Sequence, residues 1–387
     1  MDRSRCIGEA STGNSRLEAK TSKHLGVYSR QFLGNGWFRQ NGGGAVGSVP
    51  RWSCVRVLVP VLLLVSLSRF ATAQVKPAAA SFATDAPAFR ASASPERLER
   101  GRYLVEGVAH CFMCHGEQDY AHGSSLPLPG REGVGQILKG ELYDGTFSPD
   151  GLVCPNITPD KETGAGTWSD AQFERAIRHG MGHDGRELSD YMPYAFFRGM
   201  TDEDVASVIV YIRSLPAVRN SLPKRNVSFE IKVNLHPEME PKLAADASEQ
   251  VKHGWYLVRI AQCNDCHTPN DEKGNARTEM MFGGGQRMAG AWGDVVTPNI
   301  TPDPSGISHY DEAMFLKTIR TGLASGGVRE LNTFMPYRYF RNMTDEDLKA
   351  IFAYLRTVPP VKHHVDNSEA LTYCPICRQK HGFGNKN

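Results

Sequence analysis

Long apolar runs are nearly absent from this chain of 387 residues. The longest, Val57 to Leu67, is about 11 residues, too short to span a bilayer comfortably, and no other segment is long and apolar enough to cross one. An excess of charge of one sign is also missing, with 44 Lys and Arg against 42 Asp and Glu. Ten of those basic and three of those acidic residues lie in residues 1–73, so the remainder carries 34 against 39, a net of −5. A body with that balance offers no electrostatic footprint for nucleic acid. Strand periodicity is weak throughout, and the nine cysteines show no second ligand pair at the spacing of a zinc finger. Composition is otherwise that of an ordinary water-borne protein, with 22% charged residues, and the length allows two to three domains.

The basic N-terminus has its own explanation. Arg51 and Arg56 precede the apolar run, and Ala71-Thr72-Ala73 then offers a small-residue cleavage site before Gln74. That order is the signature of a secretory signal peptide, so residues 1–73 are expected to be an N-terminal extension and signal removed near Ala73 on export to the periplasm. An uncleaved N-terminal anchor is the alternative. The polar residues 1–50 fit poorly upstream of a signal, which points to a true start near Val46 or Val49. Residues 74–94, rich in Ala, Ser and Pro, read as a flexible lead-in.

What the sequence does hold is a pentapeptide that occurs twice: Cys111-Phe112-Met113-Cys114-His115 and Cys263-Asn264-Asp265-Cys266-His267. Cys-x-x-Cys-His is the attachment pattern of c-type haem. Each cysteine can form a thioether to one vinyl group, and the histidine can then reach the iron. Cys-x-x-Cys alone would also fit a disulfide, half a zinc site or a thioredoxin-like redox pair. The following histidine in both copies, in helical rather than βαβ surroundings, favours haem.

The pentapeptides belong to a longer repeat. Gly101-Arg102-Tyr103-Leu104 matches Gly254-Trp255-Tyr256-Leu257, and Asn156-Ile157-Thr158-Pro159-Asp160 matches Asn299-Ile300-Thr301-Pro302-Asp303. Met192-Pro193-Tyr194 matches Met335-Pro336-Tyr337, and Met200-Thr201-Asp202-Glu203-Asp204 matches Met343-Thr344-Asp345-Glu346-Asp347. The first copy carries nine extra residues between its haem histidine and its Met-Pro-Tyr, in the Gly/Pro-rich stretch from Gly116 to Gly151. A period this long is a duplicated domain rather than a solenoid unit. The expected organisation is a first domain over 95–219, a linker over 220–248, a second domain over 249–362 and a polar tail over 363–387.

Helices are expected in each copy. Thr201 can cap one, with Asp204 completing a capping-box-like pair, and Val205, Val208, Ile209 and Ile212 form its apolar stripe. Leu348, Ile351, Phe352 and Leu355 repeat that stripe, and Pro216 and Pro359 end the two helices. Another helix starts near Ser169 or Asp170 and stops at Gly180.

A methionine thioether opposite the histidine would fill the remaining axial position and raise the reduction potential. Met192 and Met335 are the candidates, because each precedes a stiffening proline in both copies. Core packing is the commoner use of methionine, and Met200 and Met343, beside a helix cap, read that way. His179 and His183 are rival ligands in the first copy, without counterparts in the second. Trp168, Tyr310, Arg178 and Arg320 are candidates for hydrogen bonds to haem propionates, against core packing and a solvated helix face. Asn156 and Asn299 begin Asn-x-Thr sequons but read as turn residues. Cys154, Cys374 and Cys377 are left over, an odd number; Cys374-Pro375-Ile376-Cys377 reads as a local disulfide, with a metal half-site shared with His381 or contact with a partner as alternatives.

This order of motifs resembles the class I cytochrome c domain, present twice over about residues 95–218 and 249–361. The resemblance implies an all-α fold of two tandem domains, in which the first and last helices cross and Gly101 and Gly254 are the close-contact glycines facing Tyr211 and Tyr354. It also implies two covalently bound haem c groups, held by Cys111, Cys114, His115, Cys263, Cys266 and His267, with His115/Met192 and His267/Met335 as iron ligands. The arrangement is similar to cytochrome c subunits of periplasmic alcohol and sugar-acid dehydrogenases, which usually carry three haem domains and a membrane-associating C-terminus, whereas this chain has two and a polar tail. Two saturated irons leave no site for substrate chemistry, so the expected role is electron relay between a dehydrogenase and a downstream cytochrome or oxidase. Membrane association through a partner is compatible with this role. The alternative is a dihaem redox enzyme, of peroxidase or thiosulfate dehydrogenase type, with one openable haem.

Overall fold

A first and a last helix cross in each copy, and the crossing depends on one glycine. In the computed structural model, residues 89–118, 125–138, 151–223, 239–271, 273–290, 293–324, 329–365, 372–373 and 380–381 are described. Helix α1 (Pro95–Tyr103) begins at Ser94, whose Oγ accepts the Arg97 N–H at 3.2 Å, with Pro95 in the first turn. It crosses α5 (Asp202–Ser214) at Gly101, where a Cβ would lie 2.0 Å from the Ser207 carbonyl oxygen and 2.6 Å from the Tyr211 Cβ. Helix α6 (Glu249–Ile260) crosses α10 (Asp345–Leu355) in the same way at Gly254, 1.9 Å from the Ala350 oxygen and 3.0 Å from the Tyr354 Cβ. The close-contact role implied for both glycines holds.

Between the crossing helices of the first copy lie α2 (Phe112–His115), the strands β1 (Gln136–Leu138) and β2 (Leu152–Cys154), α3 (Asp170–His179) and α4 (Tyr194–Phe197). The second copy repeats them as α7 (Cys263–Cys266), β3 (Arg287–Gly290), β4 (Gly293–Val296), α8 (Glu312–Thr321) and α9 (Tyr337–Phe340). It adds a ribbon of β5 (Leu323–Ala324) and β6 (Arg329–Glu330), and β7 (Thr372–Tyr373) pairs with β8 (Lys380–His381). The chain is thus mostly helical, and the described residues also hold four two-stranded antiparallel ribbons. These strands are two to four residues long, below the length at which alternation can be seen in a sequence.

The ribbons also place the extra residues of the first copy. Gly135 N–H donates to the His115 carbonyl, and Gly284 N–H to that of His267, both at 2.7 Å, which makes these glycines equivalent. Three of the nine extra residues fall between His115 and Gly135, and six between Gly135 and Cys154.

Helix α3 is set by a full capping box, Ser169 with Gln172, and stops at Gly180 in a left-handed conformation, φ 63°. The cap of α5 is more unusual. Thr201 Oγ1 accepts the Asp204 N–H at 3.1 Å, as expected, but the Asp204 carboxylate does not return to the Thr201 N–H. The Tyr256 hydroxyl from the second copy sits between them, accepting from Thr201 N at 3.1 Å and donating to Asp204 Oδ2 at 2.5 Å. At α10 the roles reverse: Tyr103 of the first copy accepts from Thr344 N at 3.1 Å and donates to Asp347 Oδ2 at 2.5 Å. Each copy therefore completes the helix cap of the other. Arg100 holds Asp204 in a bidentate pair at 2.7 and 2.9 Å, whereas His253 Nε2 takes that place on Asp347 at 2.6 Å.

Both copies lie in one compact unit, and a single apolar core runs through Leu104, Phe112 and Ile209 of the first and Leu257, Phe340 and Tyr354 of the second. The ends of the segment over 220–248 are tied down. Asn220 Nδ2 donates to the Val134 carbonyl at 2.8 Å, Trp255 Nε1 to that of Pro241 at 2.6 Å, and the Tyr354 hydroxyl to that of Lys242 at 2.9 Å. The signal segment and cleavage site, the lead-in over 74–88, and the Cys374/Cys377 pair lie outside the described residues. No described helix is long and apolar enough to cross a membrane.

Candidate haem-binding sites

Each Cys-x-x-Cys-His pentapeptide is a single helical turn entered through a left-handed residue. His110, at φ 36°, and Gln262, at φ 57°, stand immediately before the first cysteine, in a region that non-glycine residues rarely adopt. They end the preceding helix and swing the chain into the turn. There His115 N–H donates to the Cys111 carbonyl at 2.9 Å, and His267 N–H to that of Cys263 at 3.0 Å. Residues three apart on a helical turn share a side, so both thiols of a copy face the same way. Gln136 Nε2 closes the turn of the first copy, donating to the Met113 and Cys114 carbonyls at 3.1 and 3.0 Å.

The two histidines are oriented identically. His115 Nδ1 donates to the Pro155 carbonyl at 2.8 Å, and His267 Nδ1 to that of Pro298 at 2.7 Å. A carbonyl can only accept, so the proton sits on Nδ1 and the Nε2 lone pair is left to bind a metal. Burial pushes both imidazoles below their ordinary range, with the proline carbonyl partly opposing it. Neutral imidazole is the form an iron needs. The Cys111 and Cys263 thiols are pushed up to about 12, chiefly by burial, so they stay as thiols. This donor set fits covalent haem: two like-facing thiols and a neutral, aimed imidazole.

Asn156 and Asn299 fix the loops that carry those prolines. Each side chain accepts from the N–H and the hydroxyl of Thr158 or Thr301 two residues on, and donates at 2.8 Å to the Val218 or Val361 carbonyl beyond the last helix. Both asparagines are buried, 4% exposed, which agrees with turn residues and not with glycosylated ones.

The Met-Pro-Tyr segments are equally alike. Tyr194 N–H reaches back to the Met192 carbonyl, and Tyr337 N–H to that of Met335, both at 2.7 Å across a proline at φ −79° or −76°. That is an inverse γ-turn, which proline favours. The tyrosine rings are buried against Gly180 and Gly322, where a Cβ would come within 2.6 and 2.5 Å of a ring carbon. Met192 and Met335 are half-buried and border the same apolar core as Cys111 and Cys263. Met200 and Met343 are buried core residues, 4% and 2% exposed. Of the rival histidines, His179 stands beside Glu174 at 3.4 Å, and His183 stacks on Trp168 with ring centroids 4.7 Å apart.

Two expectations are redirected. Arg178 donates to the Met200 carbonyl at 2.6 Å and pairs with Asp202 at 2.7 Å, so it serves the start of α5. Arg320 does the same for α10, bonding the Arg341 carbonyl and Asp345. Trp168 packs on Phe173 and His183. The exchange of Tyr103 and Tyr256 was not legible in the local sequence pattern. Its trace was present in Gly-x-Tyr-Leu, where a residue two on from the crossing glycine cannot share its face. The neighbour of Cys114 was equally hidden. The Cys154 thiol lies against the Cys114 thiol, and hydrogen bonding between the two pulls the pKa of Cys114 down while pushing that of Cys154 up, which burial raises further.

Comparison with known proteins agrees with this geometry. The cytochrome c family profile matches residues 98–216 and 251–359, more than half of the chain. The chain is 31% identical over 70% of its length to the fructose dehydrogenase cytochrome subunit of Gluconobacter japonicus, and that match covers 54% of the relative. It is 28% identical over 65% of its length to a diheme cytochrome c-type protein of Cereibacter sphaeroides, covering 83% of it. It is 24% identical over 67% to the gluconate 2-dehydrogenase cytochrome c subunit of Pantoea cypripedii, covering 59%. The chain thus spans little more than half the length of these fructose and gluconate dehydrogenase subunits. With two profile matches that each contain one Cys-x-x-Cys-His turn, the chain belongs to the cytochrome c family, whose cofactor is covalently attached haem c.

Proposed function

We propose that this protein is an exported, periplasmic dihaem electron carrier, with one haem in each copy ligated by His115 and Met192 and by His267 and Met335. The observation that carries this reading is the duplication of the whole constellation. Both copies have a histidine proton on a proline carbonyl at 2.8 or 2.7 Å and a methionine in a proline-centred turn. Haem iron cycles between ferric and ferrous states and so supplies one electron per copy.

The chain's own residues hold and tune it. Pro155 and Pro298 keep each imidazole aimed and make it a stronger donor. Pro193 with Tyr194, and Pro336 with Tyr337, restrain a methionine that would otherwise sample many rotamers. With a histidine and a methionine both holding it, each iron would have no place for peroxide or another substrate, which favours carrying over catalysis. Matches to cytochrome subunits of fructose and gluconate dehydrogenases support a dehydrogenase as donor, with a downstream cytochrome or oxidase as acceptor. Association with a membrane would come through such a partner.

The test is purification of the mature protein from its own host. The expected result is an N-terminus near Gln74, a mass showing two haems, and a dehydrogenase that co-purifies and reduces both. Rapid binding of CO to one haem at neutral pH would overturn the carrier and favour a dihaem enzyme, and absence of any two-haem species would overturn the dihaem reading itself.

A further inference from the structure

Three cysteines, not two, meet at the first haem site. Cys154 ends β2, is 6% exposed and pairs in register with Gln136. Gln136 in turn donates to the Cys114 carbonyl at 3.0 Å, and Pro155, the next residue after Cys154, accepts from His115. The backbone on both sides of Cys154 is therefore tied to the Cys-x-x-Cys-His turn, and its thiol is in hydrogen-bonding contact with that of Cys114. The second copy has Thr297 in this place, equivalent by the flanking Pro-Asn-Ile-Thr-Pro-Asp. Its hydroxyl accepts the Gln286 N–H at 3.1 Å and has no redox chemistry.

We propose that Cys154 competes with haem for Cys114, closing a Cys114–Cys154 disulfide that blocks attachment in the first copy alone. Thioether formation adds the Cys114 S–H across a vinyl double bond and needs a free thiol. In the competing reaction Cys114 and Cys154 each give up one proton and one electron to an incoming disulfide, oxidised glutathione or that of a thiol oxidase, which leaves as two thiols. A dithiol reductant reverses the step and restores Cys114. Loading of the first haem then depends on reducing conditions, while loading of the second does not share this branch. In the cell this rests on export to an oxidising compartment, but the chemistry itself does not.

Two experiments on the full chain decide it. In the first, the haem-free protein is exposed to oxidised glutathione and its peptides are mapped by mass. A Cys114–Cys154 cross-link is expected, and its absence overturns the proposal wherever the protein resides. In the second, wild type, Cys154→Thr and Cys154→Ser are matured with haem in cells, and haems are counted by intact mass. Wild type should show a one-haem species, vacant at Cys111/Cys114, whose share falls about fivefold in both variants and on addition of a reductant. An unchanged share in both variants overturns the block, even if the cross-link forms in the first experiment. Failure of the export reading would show separately, as an uncleaved N-terminus.

Discussion

The Nδ1 proton of each haem histidine is committed to a proline carbonyl, and that single bond decides which nitrogen can bind iron. The cysteines and histidines were legible in the sequence because their spacing is local. The prolines that orient the histidines were not, since Pro155 lies 40 residues from His115. The Met-Pro-Tyr turns were legible as a recurring tripeptide, and the structure adds the reason for the tyrosine, whose ring seats the turn on a helix-ending glycine. Met335→Ala is expected to convert the second haem from six-coordinate low spin to a form with an open position and to lower its potential. Redox titration followed by absorbance checks this, and the first haem should be unaffected. Gly101→Ala would force a Cβ to within 2.0 Å of the Ser207 carbonyl oxygen. Because that contact is backbone and cannot give way, a loss of about 3 kcal/mol is expected, in the range of overpacked core sites, read from denaturant unfolding.

At the scale of elements, the helices followed their local signals while the contacts between them did not. Ser169 and Gly180 marked the ends of α3, and Thr201 and Thr344 marked the starts of α5 and α10. The capping box expected at Thr201 was half right. Asp204 lies at the correct position but turns to Arg100 and to a tyrosine from the other copy. No local rule could supply that, because Tyr256 is 52 residues away. Tyr256→Phe would leave Thr201 N–H and part of Asp204 without a partner inside a half-buried site. A cost of about 1–2 kcal/mol is expected for such an unmade bond. The informative readout is hydrogen exchange, which should quicken at the first turn of α5, in the copy that does not carry the mutation.

The short ribbons escaped notice for a different reason. Strands of two to four residues leave no period to detect, and the loop from Gly116 to Gly151 hid one of them. The ribbon matters because its last residue, Cys154, is the third thiol at the first haem site.

Across the whole molecule, the repeat announced two domains but not their union. One core threads both copies, and the two tyrosines are exchanged between them. A single cooperative unfolding transition is therefore expected for the holoprotein, with Tyr103→Phe combined with Tyr256→Phe splitting it into two in calorimetry. The same seam should respond to alkali. Burial raises the Tyr103 and Tyr256 hydroxyls to about 12, from an ordinary value near 10. Their contribution is fully present below pH 10, where folded and unfolded chains are both protonated, and is lost as pH rises from 10 to about 12. Ultraviolet titration of tyrosinate, followed alongside unfolding, checks that order.

The central claim is that both irons are saturated by a histidine and a methionine, and so carry electrons rather than transform a substrate. Spectroelectrochemical titration of the dihaem protein, run with and without CO at neutral pH, tests it most directly. Two one-electron steps are expected, both from low-spin haem, with neither potential moved by CO. A single step, or one haem that is high spin and binds CO at once, would contradict it.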